Sequence, residues 1–451
     1  MKNAAELVGA AKKKTAKVQT TESSNAGNSS NSSSSSSSNL DNNDDDTTRG
    51  PKWTDAVELE DGNLQIEFFD NNNQTLKNRR DGISACLINL EDTIRLAEWI
   101  PYHYATLPLG SVVIALDPNN SERGTNRTLE LIRLWKDKID ITLWPEYFLP
   151  KDKRFKKRQS YVRERQVYFA NQCLGYHKRQ NRTWTLLTDN DEYMTFNYVH
   201  DDEEIKYNHP AAHKSKVKKR IDHDRKTYMH LRKDLPSQNE TTILDFINRS
   251  NINNTGGGEH SSEKQLQFLP NCVRLPGIHY GGDIGVNRTF VDQDWSHGNV
   301  VDPYLLSTIR NIHHAKRNSK FSKVMIDVSR VETKDLEWTS SNHAKTIHNP
   351  SKVCGFNGKN DSGADYYSSL FRLNHYLGSI ESYLERQTDY RSRSLDTYYK
   401  KAGKVNATVA NWDTDIIPWM DVFIRKIGGA LEARKLLAPL ASYVNSTPRS
   451  L

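Results

Sequence analysis

A chain of 451 residues with a formal charge of +7 can hold one large α/β domain or two ordinary ones, each with a sizeable core. Four widely spaced cysteines (Cys86, Cys173, Cys272, Cys354) with no Cys-x-x-Cys pair exclude a zinc ribbon and a disulfide-dense scaffold, leaving room for one or two bridges. The positive charge gathers at residues 151–165 and 214–225 and reads as solvated surface, so no nucleic-acid partner is expected; an anionic sugar-nucleotide or an acidic glycan suits it equally well.

Residues 1–51 are Ser-, Asn- and Asp-rich, with an unbroken serine run at 32–38, and cannot bury enough apolar surface to offset the entropy of ordering. A disordered head is expected there, followed by one folded domain over 52–445. No window approaches the roughly 20 apolar residues that span a bilayer, and residues 1–19 contain no signal-peptide core. Membrane association stays open. Asn-x-Ser/Thr sequons at Asn73, Asn126, Asn239, Asn248, Asn287, Asn406 and Asn445 lend mild support to a secretory compartment.

The folded part begins with a short apolar run at 83–88, read as a buried strand, and a helical period over 91–106 that Asn89 can cap. A second strand at 111–116 ends at Asp117-Pro118, and a helix at 128–135 leads to a third strand at 139–143. A long helix follows at 159–178, then a strand at 183–188. Alternation of strand and helix with short connections predicts an α/β fold with a mostly parallel twisted sheet and helices on both faces. Residues 206–263, polar, basic and interrupted by Gly256-Gly257-Gly258, read as a flexible insertion. Further on come a strand at 323–329, a helix at 370–386 and an amphipathic pair over 416–437 around Gly428-Gly429.

Ligands of such sheets sit beyond the carboxyl ends of the strands. The strand at 183–188 ends in Asp189-Asn190-Asp191-Glu192, where side chains two apart point the same way, so Asp189 and Asp191 can share one hard cation. Such a cation bridges phosphates and neutralises a leaving diphosphate. An exposed acidic turn is the plain rival.

Several segments, in order, resemble glycosyltransferase family 92 and related family-2-like GT-A domains. These are Asn89-Leu90-Glu91 with Glu98-Trp99-Ile100-Pro101-Tyr102-His103, the strand ending at Asp117, the helix carrying Arg165-Gln166 with 184–193, and Asn374-His375-Tyr376. Asp413-Thr414-Asp415 is similar to the ending of algal members. The resemblance spans most of 83–437. It implies a GT-A-like domain that transfers a sugar from a nucleotide-sugar, a UDP-sugar above all, to a glycan or glycoprotein acceptor with inversion, in the Golgi or secretory lumen.

Residue by residue, the resemblance implies that Asp117 hydrogen-bonds the uridine or ribose and that Glu91 joins it in donor binding. Asp189 and Asp191 would hold Mn²⁺ or Mg²⁺, with His375 completing the shell and His348 or His279 as rivals. Asp283, in a glycine-rich turn between Asp191 and His375, is the expected base, with a simple turn former as the alternative. Two other functions stay open. One is a two-metal nuclease or phosphodiesterase, for which Asp117 would supply a further carboxylate. The other is a carbohydrate- or nucleic-acid-binding protein of the same fold, using Tyr366-Tyr367 or Tyr398-Tyr399 as contact surfaces.

Overall fold

The computed structural model of the chain describes residues 56–58, 64–66, 82–117, 120–144, 158–198, 235–252, 271–282, 295–315, 322–336, 351–354, 369–385, 398–400 and 409–445. All of them belong to one compact unit, Pro51–Leu451. The expected disordered head lies outside the described residues, as do Asp283, His348 and Tyr366-Tyr367.

A short antiparallel ribbon, β1 (Ala56–Glu58) with β2 (Leu64–Ile66), precedes the main sheet. Then β3 (Ile83–Asn89), α1 (Thr93–Thr106), β4 (Leu109–Leu116), α2 (Glu122–Trp135), β5 (Asp140–Trp144), α3 (Arg158–Arg179) and β6 (Trp184–Leu187) follow in strict alternation. The four strands run parallel in the spatial order β5-β4-β3-β6. Their sequences are continuous apolar runs because both faces are covered. Ala85, Leu87, Val112, Ile114 and Leu186 join the core that contains α1, while Cys86, Val113, Ala115 and Leu187 join the core that contains α3. Trp99 and Trp135 are fully buried, and a large apolar side chain so placed stabilises by about 1.5–3 kcal/mol. The strand order reverses between β3 and β6, and the crevice beyond their carboxyl ends is where a sheet of this kind takes ligands.

Past β6 the sheet forks. The turn after β6 leads into β7 (Glu192–Phe196), then α4 (Ile243–Ile252), β8 (Cys272–Gly282), β9 (His313–Ala315) and β10 (Ser322–Asp327). β10 lies antiparallel between β6 and the first half of β8, whereas β11 (Phe371–Gly378) lies between β7 and the second half of β8. β12 (Val409–Trp412) pairs with β9 at the edge. The ten-stranded sheet is thus mixed but mostly parallel, with β7, β9 and β10 running against the rest. After α5 (Ile380–Glu385), the helices α6 (Trp419–Ile427) and α7 (Ala430–Asn445) pack on α1. They separate at Gly428 and Gly429, whose φ angles of 97° and 114° suit glycine and stop the helix as expected.

Three expectations are corrected. The helix predicted over 370–386 is β11 followed by the single short helix α5. Within the insertion predicted to be flexible, residues 235–252 are ordered. Ile243 and Ile247 of α4 are buried and Phe246 packs edge-on against Phe196 and Phe371, with Thr242 accepting from the Asp245 N–H at the helix start. Asn89 does not cap α1. Asp92 occupies that position but makes no side-chain capping bond, and the first turn is instead satisfied by Glu385, whose carboxylate accepts from Ile94 N and Thr93 Oγ1.

All four cysteines are bridged, Cys86 to Cys173 and Cys272 to Cys354. The first fastens α3 to β3. Among the described residues no helix is long and apolar enough to cross a membrane.

Candidate metal and nucleotide site

The turn between β6 and β7 sits at the fork of the sheet, and its backbone is held from both sides. Asn190 donates to the Asn89 side chain (3.2 Å) and to Asp92 O (3.3 Å), tying the turn to the end of β3, and Asn89 in turn donates to Thr128 Oγ1 (2.8 Å). The Tyr376 N–H donates to Asp191 O (2.9 Å), tying the same turn to β11. One oxygen from each of Asp189, Asp191 and Glu192 lies within 4.8 Å of the others. Three carboxylates so close repel one another unless cations intervene.

Those cations come from three distant elements. Lys323 on β10 reaches Asp189 Oδ2 at 2.6 Å and Glu192 Oε2 at 3.3 Å, from a side chain only 2 % exposed. Burial alone would lower its pKa, but the two acids outweigh burial and hold the ammonium charged. Arg95 on α1 donates to Asp191 (2.9 Å), to Asp92 (3.0 Å) and to Leu377 O. That approach requires Gly378, since a Cβ there would come within 2.5 Å of the Arg95 guanidinium, and the φ of 85° disfavours other residues as well. His375 Nε2 is 3.2 Å from Asp191 Oδ2. Burial opposes its charge, but Asp191 prevails and raises its pKa above the ordinary imidazole value.

His375 has a neighbour of the same kind. The parallel pairing of β11 with β8 sets it opposite His279, with ring centroids 4.7 Å apart. Burial, helped by the charge of His375, pushes His279 down to about 4. Glu192 runs the other way. Burial raises its pKa while Lys323 works against the rise, and its carboxylate accepts from Thr188 Oγ1 and Asp189 N.

The Glu98-Trp99-x-x-Tyr102-His103 segment on α1 is the frame of this site. Trp99 donates to Glu192 O (3.0 Å), Tyr102 to Met194 O (2.9 Å), and His103 accepts from Met194 N (3.3 Å). Glu98 accepts from the Ser307 and Thr308 N–H groups and the Thr308 hydroxyl. The segment therefore positions the acidic strand rather than meeting a ligand.

Asp117 stands at the carboxyl end of β4, where the sequence puts it, but its carboxylate is held in a buried fork by Arg165 of α3, at 3.0 and 2.8 Å. Glu91, in the left-handed region at φ 48°, accepts from Ser121 N (2.9 Å) at the start of α2, a favourable place for a negative charge. Both proposed donor contacts thus have protein partners. A small, half-open pocket lies beside Asp189, with Gln166, Phe169 and Thr188 in its wall. Asp283 and His348 lie outside the described residues. Of the tyrosine pair, Tyr398 is buried and Tyr399 is 45 % exposed.

Comparison with protein-family models, with curated proteins and with solved structures gives no match for this chain. The site must therefore be read from its own chemistry. The structure brings Asp189 and Asp191 together and sets His375 against Asp191. Arg95 and Lys323 were not foreseen, and of the two only Arg95 has a local hint, as the i+3 partner of Asp92.

Proposed function

We propose that the chain is a GT-A-type glycosyltransferase that moves a sugar from a nucleotide-sugar, a UDP-sugar above all, onto a glycan or glycoconjugate acceptor with inversion. The observation that carries this reading is the convergence of Asp189, Asp191 and Glu192 at the strand-order reversal, with His375 against Asp191. Hard oxygen donors with one imidazole fit Mn²⁺ or Mg²⁺, and Asp189, Asp191 and His375 would hold it. The chemistry such an ion would supply there is neutralisation of the negative charge that develops on the leaving diphosphate.

The chain's own residues supply the rest. Arg95 fixes the Asp191 carboxylate, Lys323 fixes that of Asp189, and both add positive charge near a leaving diphosphate. Asn190 and the α1 hydrogen bonds keep the turn in one geometry, so little reorganisation is left for the reaction. The two-metal phosphodiesterase reading loses its third strand-end carboxylate, because Asp117 is engaged by Arg165. Two disulfides support an oxidising compartment such as the Golgi or secretory lumen, and the exposed sequon residues Asn239 and Asn248 accord with it.

The test is release of UDP from a panel of UDP-sugars by the purified full chain with Mn²⁺, with and without acceptor glycans. Metal-dependent release supports the reading. Hydrolysis of phosphodiesters, or no binding of any nucleotide-sugar in the presence of metal, overturns it.

A further inference from the structure

The acidic cluster of this chain already contains a positive ion of its own. The Lys323 ammonium bridges Asp189, a proposed metal ligand, and Glu192 beside it in the same cluster, and it does so from the middle of the sheet. The register of β10 between β6 and β8, with Val324 opposite Leu187 and Arg274, fixes its backbone, so only the side chain can yield. Arg95 engages the third carboxylate, Asp191, from a side chain 3 % exposed, and is pinned there by Asp92 and by Leu377 O. Two fixed cations thus face four carboxylates, Asp92, Asp189, Asp191 and Glu192, before any metal arrives.

We infer that Lys323 is a resident cation that competes with divalent metal for Asp189 and Glu192, so that metal alone binds weakly and binds well only beside an anionic diphosphate. A metal ion entering the triangle must push the ammonium off two oxygens while gaining only part of their charge, because Arg95 retains its hold on Asp191. A diphosphate changes the balance, since its oxygens give the displaced ammonium a new partner and the metal further ligands. This rests on the glycosyltransferase reading for the identity of the diphosphate, but not for the competition itself.

The experiment is a Mn²⁺ titration of the full chain, followed by calorimetry and by melting shift, with Mn²⁺ alone and with Mn²⁺ plus UDP. It is run on wild type, Lys323→Gln, Lys323→Met and Lys323→Arg. The neutral variants are expected to bind Mn²⁺ alone at least about ten-fold more tightly than wild type, with Lys323→Arg as weak as wild type. Equal affinity for Mn²⁺ alone in wild type and both neutral variants would overturn the inference. In wild type, UDP is expected to tighten Mn²⁺ binding. If the neutral variants gain affinity but UDP changes nothing, the resident cation stands and the nucleotide-sugar reading falls. If no variant binds Mn²⁺ under any condition, both fall. Should the neutral variants unfold without metal, recovery of a cooperative melting transition on adding Mn²⁺ supports the inference, and failure to recover counts against it.

Discussion

The ends of β4 and β6, on either side of β3, have opposite electrostatic designs. At the end of β4 one carboxylate meets one guanidinium, Asp117 with Arg165, in a buried fork with charges matched. At the end of β6 three carboxylates crowd together, and their cations come singly from α1, β10 and β11. A matched pair needs nothing from outside. A crowded, part-exposed cluster is where perturbed pKa values and ligand binding concentrate, which is why the proposed function is placed at the second end.

The strongest way to break this comparison is Arg165→Met. It leaves the Asp117 carboxylate buried without its fork and should cost about 3–5 kcal/mol in urea unfolding, whereas joining it to Asp117→Leu should recover most of the loss. Full nucleotide-sugar affinity in the double variant would show that Asp117 has no donor role. At the other end, Asp191→Asn should leave the melting curve nearly unchanged, since that side chain is 18 % exposed and Arg95 keeps Asp92. Its effect belongs in binding, with metal-dependent UDP-sugar affinity falling roughly 10–100-fold by calorimetry. Unaltered affinity would sink the metal assignment.

Gly378→Ala probes how far the two ends depend on their supports. A Cβ driven into the Arg95 guanidinium at positive φ should cost about 1–3 kcal/mol and weaken Mn²⁺ binding through a displaced Asp191. The histidines add a pH signature. Burial pushes His103 and His177 down to about 3 and His279 to about 4, so each contributes stability that is complete above the unfolded value near 6.5 and is lost as pH falls. His375, whose pKa is raised, contributes fully below about 6.5 and loses that contribution as pH rises through its folded value. Melts of the metal-free chain should therefore weaken towards acid, and His375→Asn should remove only the decline on the alkaline side.

Much of the parallel half was legible because β3, β4 and β6 are apolar runs between polar turns, and an acidic triplet directly after such a run is a local signal. β11 was misread for a physical reason. It lies between β7 and β8 with both faces covered, so Arg372 and Asn374 are as buried as Phe371 and Leu373, and the alternation that betrays a half-exposed strand is missing. Arg372 is tolerated there because Asp413 pairs with it, a partner 41 residues away. α4 was hidden by its surroundings, since Ile243, Leu244, Phe246 and Ile247 form a short apolar stripe inside a long polar stretch of sequence. Lys323 and Asp189 are separated by 134 residues, and nothing near either names the other.

The hydrogen bonds from α1 to Glu192 O, Met194 N and Met194 O bear on how this protein tolerates mutation and self-association. Among the described residues β7 has one strand neighbour, β11, and on its other side the α1 side chains bond to its main chain. The main-chain groups capped in this way, at Glu192 and Met194, are closed to a second molecule that would extend the sheet there. Because the contacts are to peptide groups, β7 can vary its side chains at little cost to them, whereas Trp99, Tyr102 and His103 cannot vary without reopening the edge.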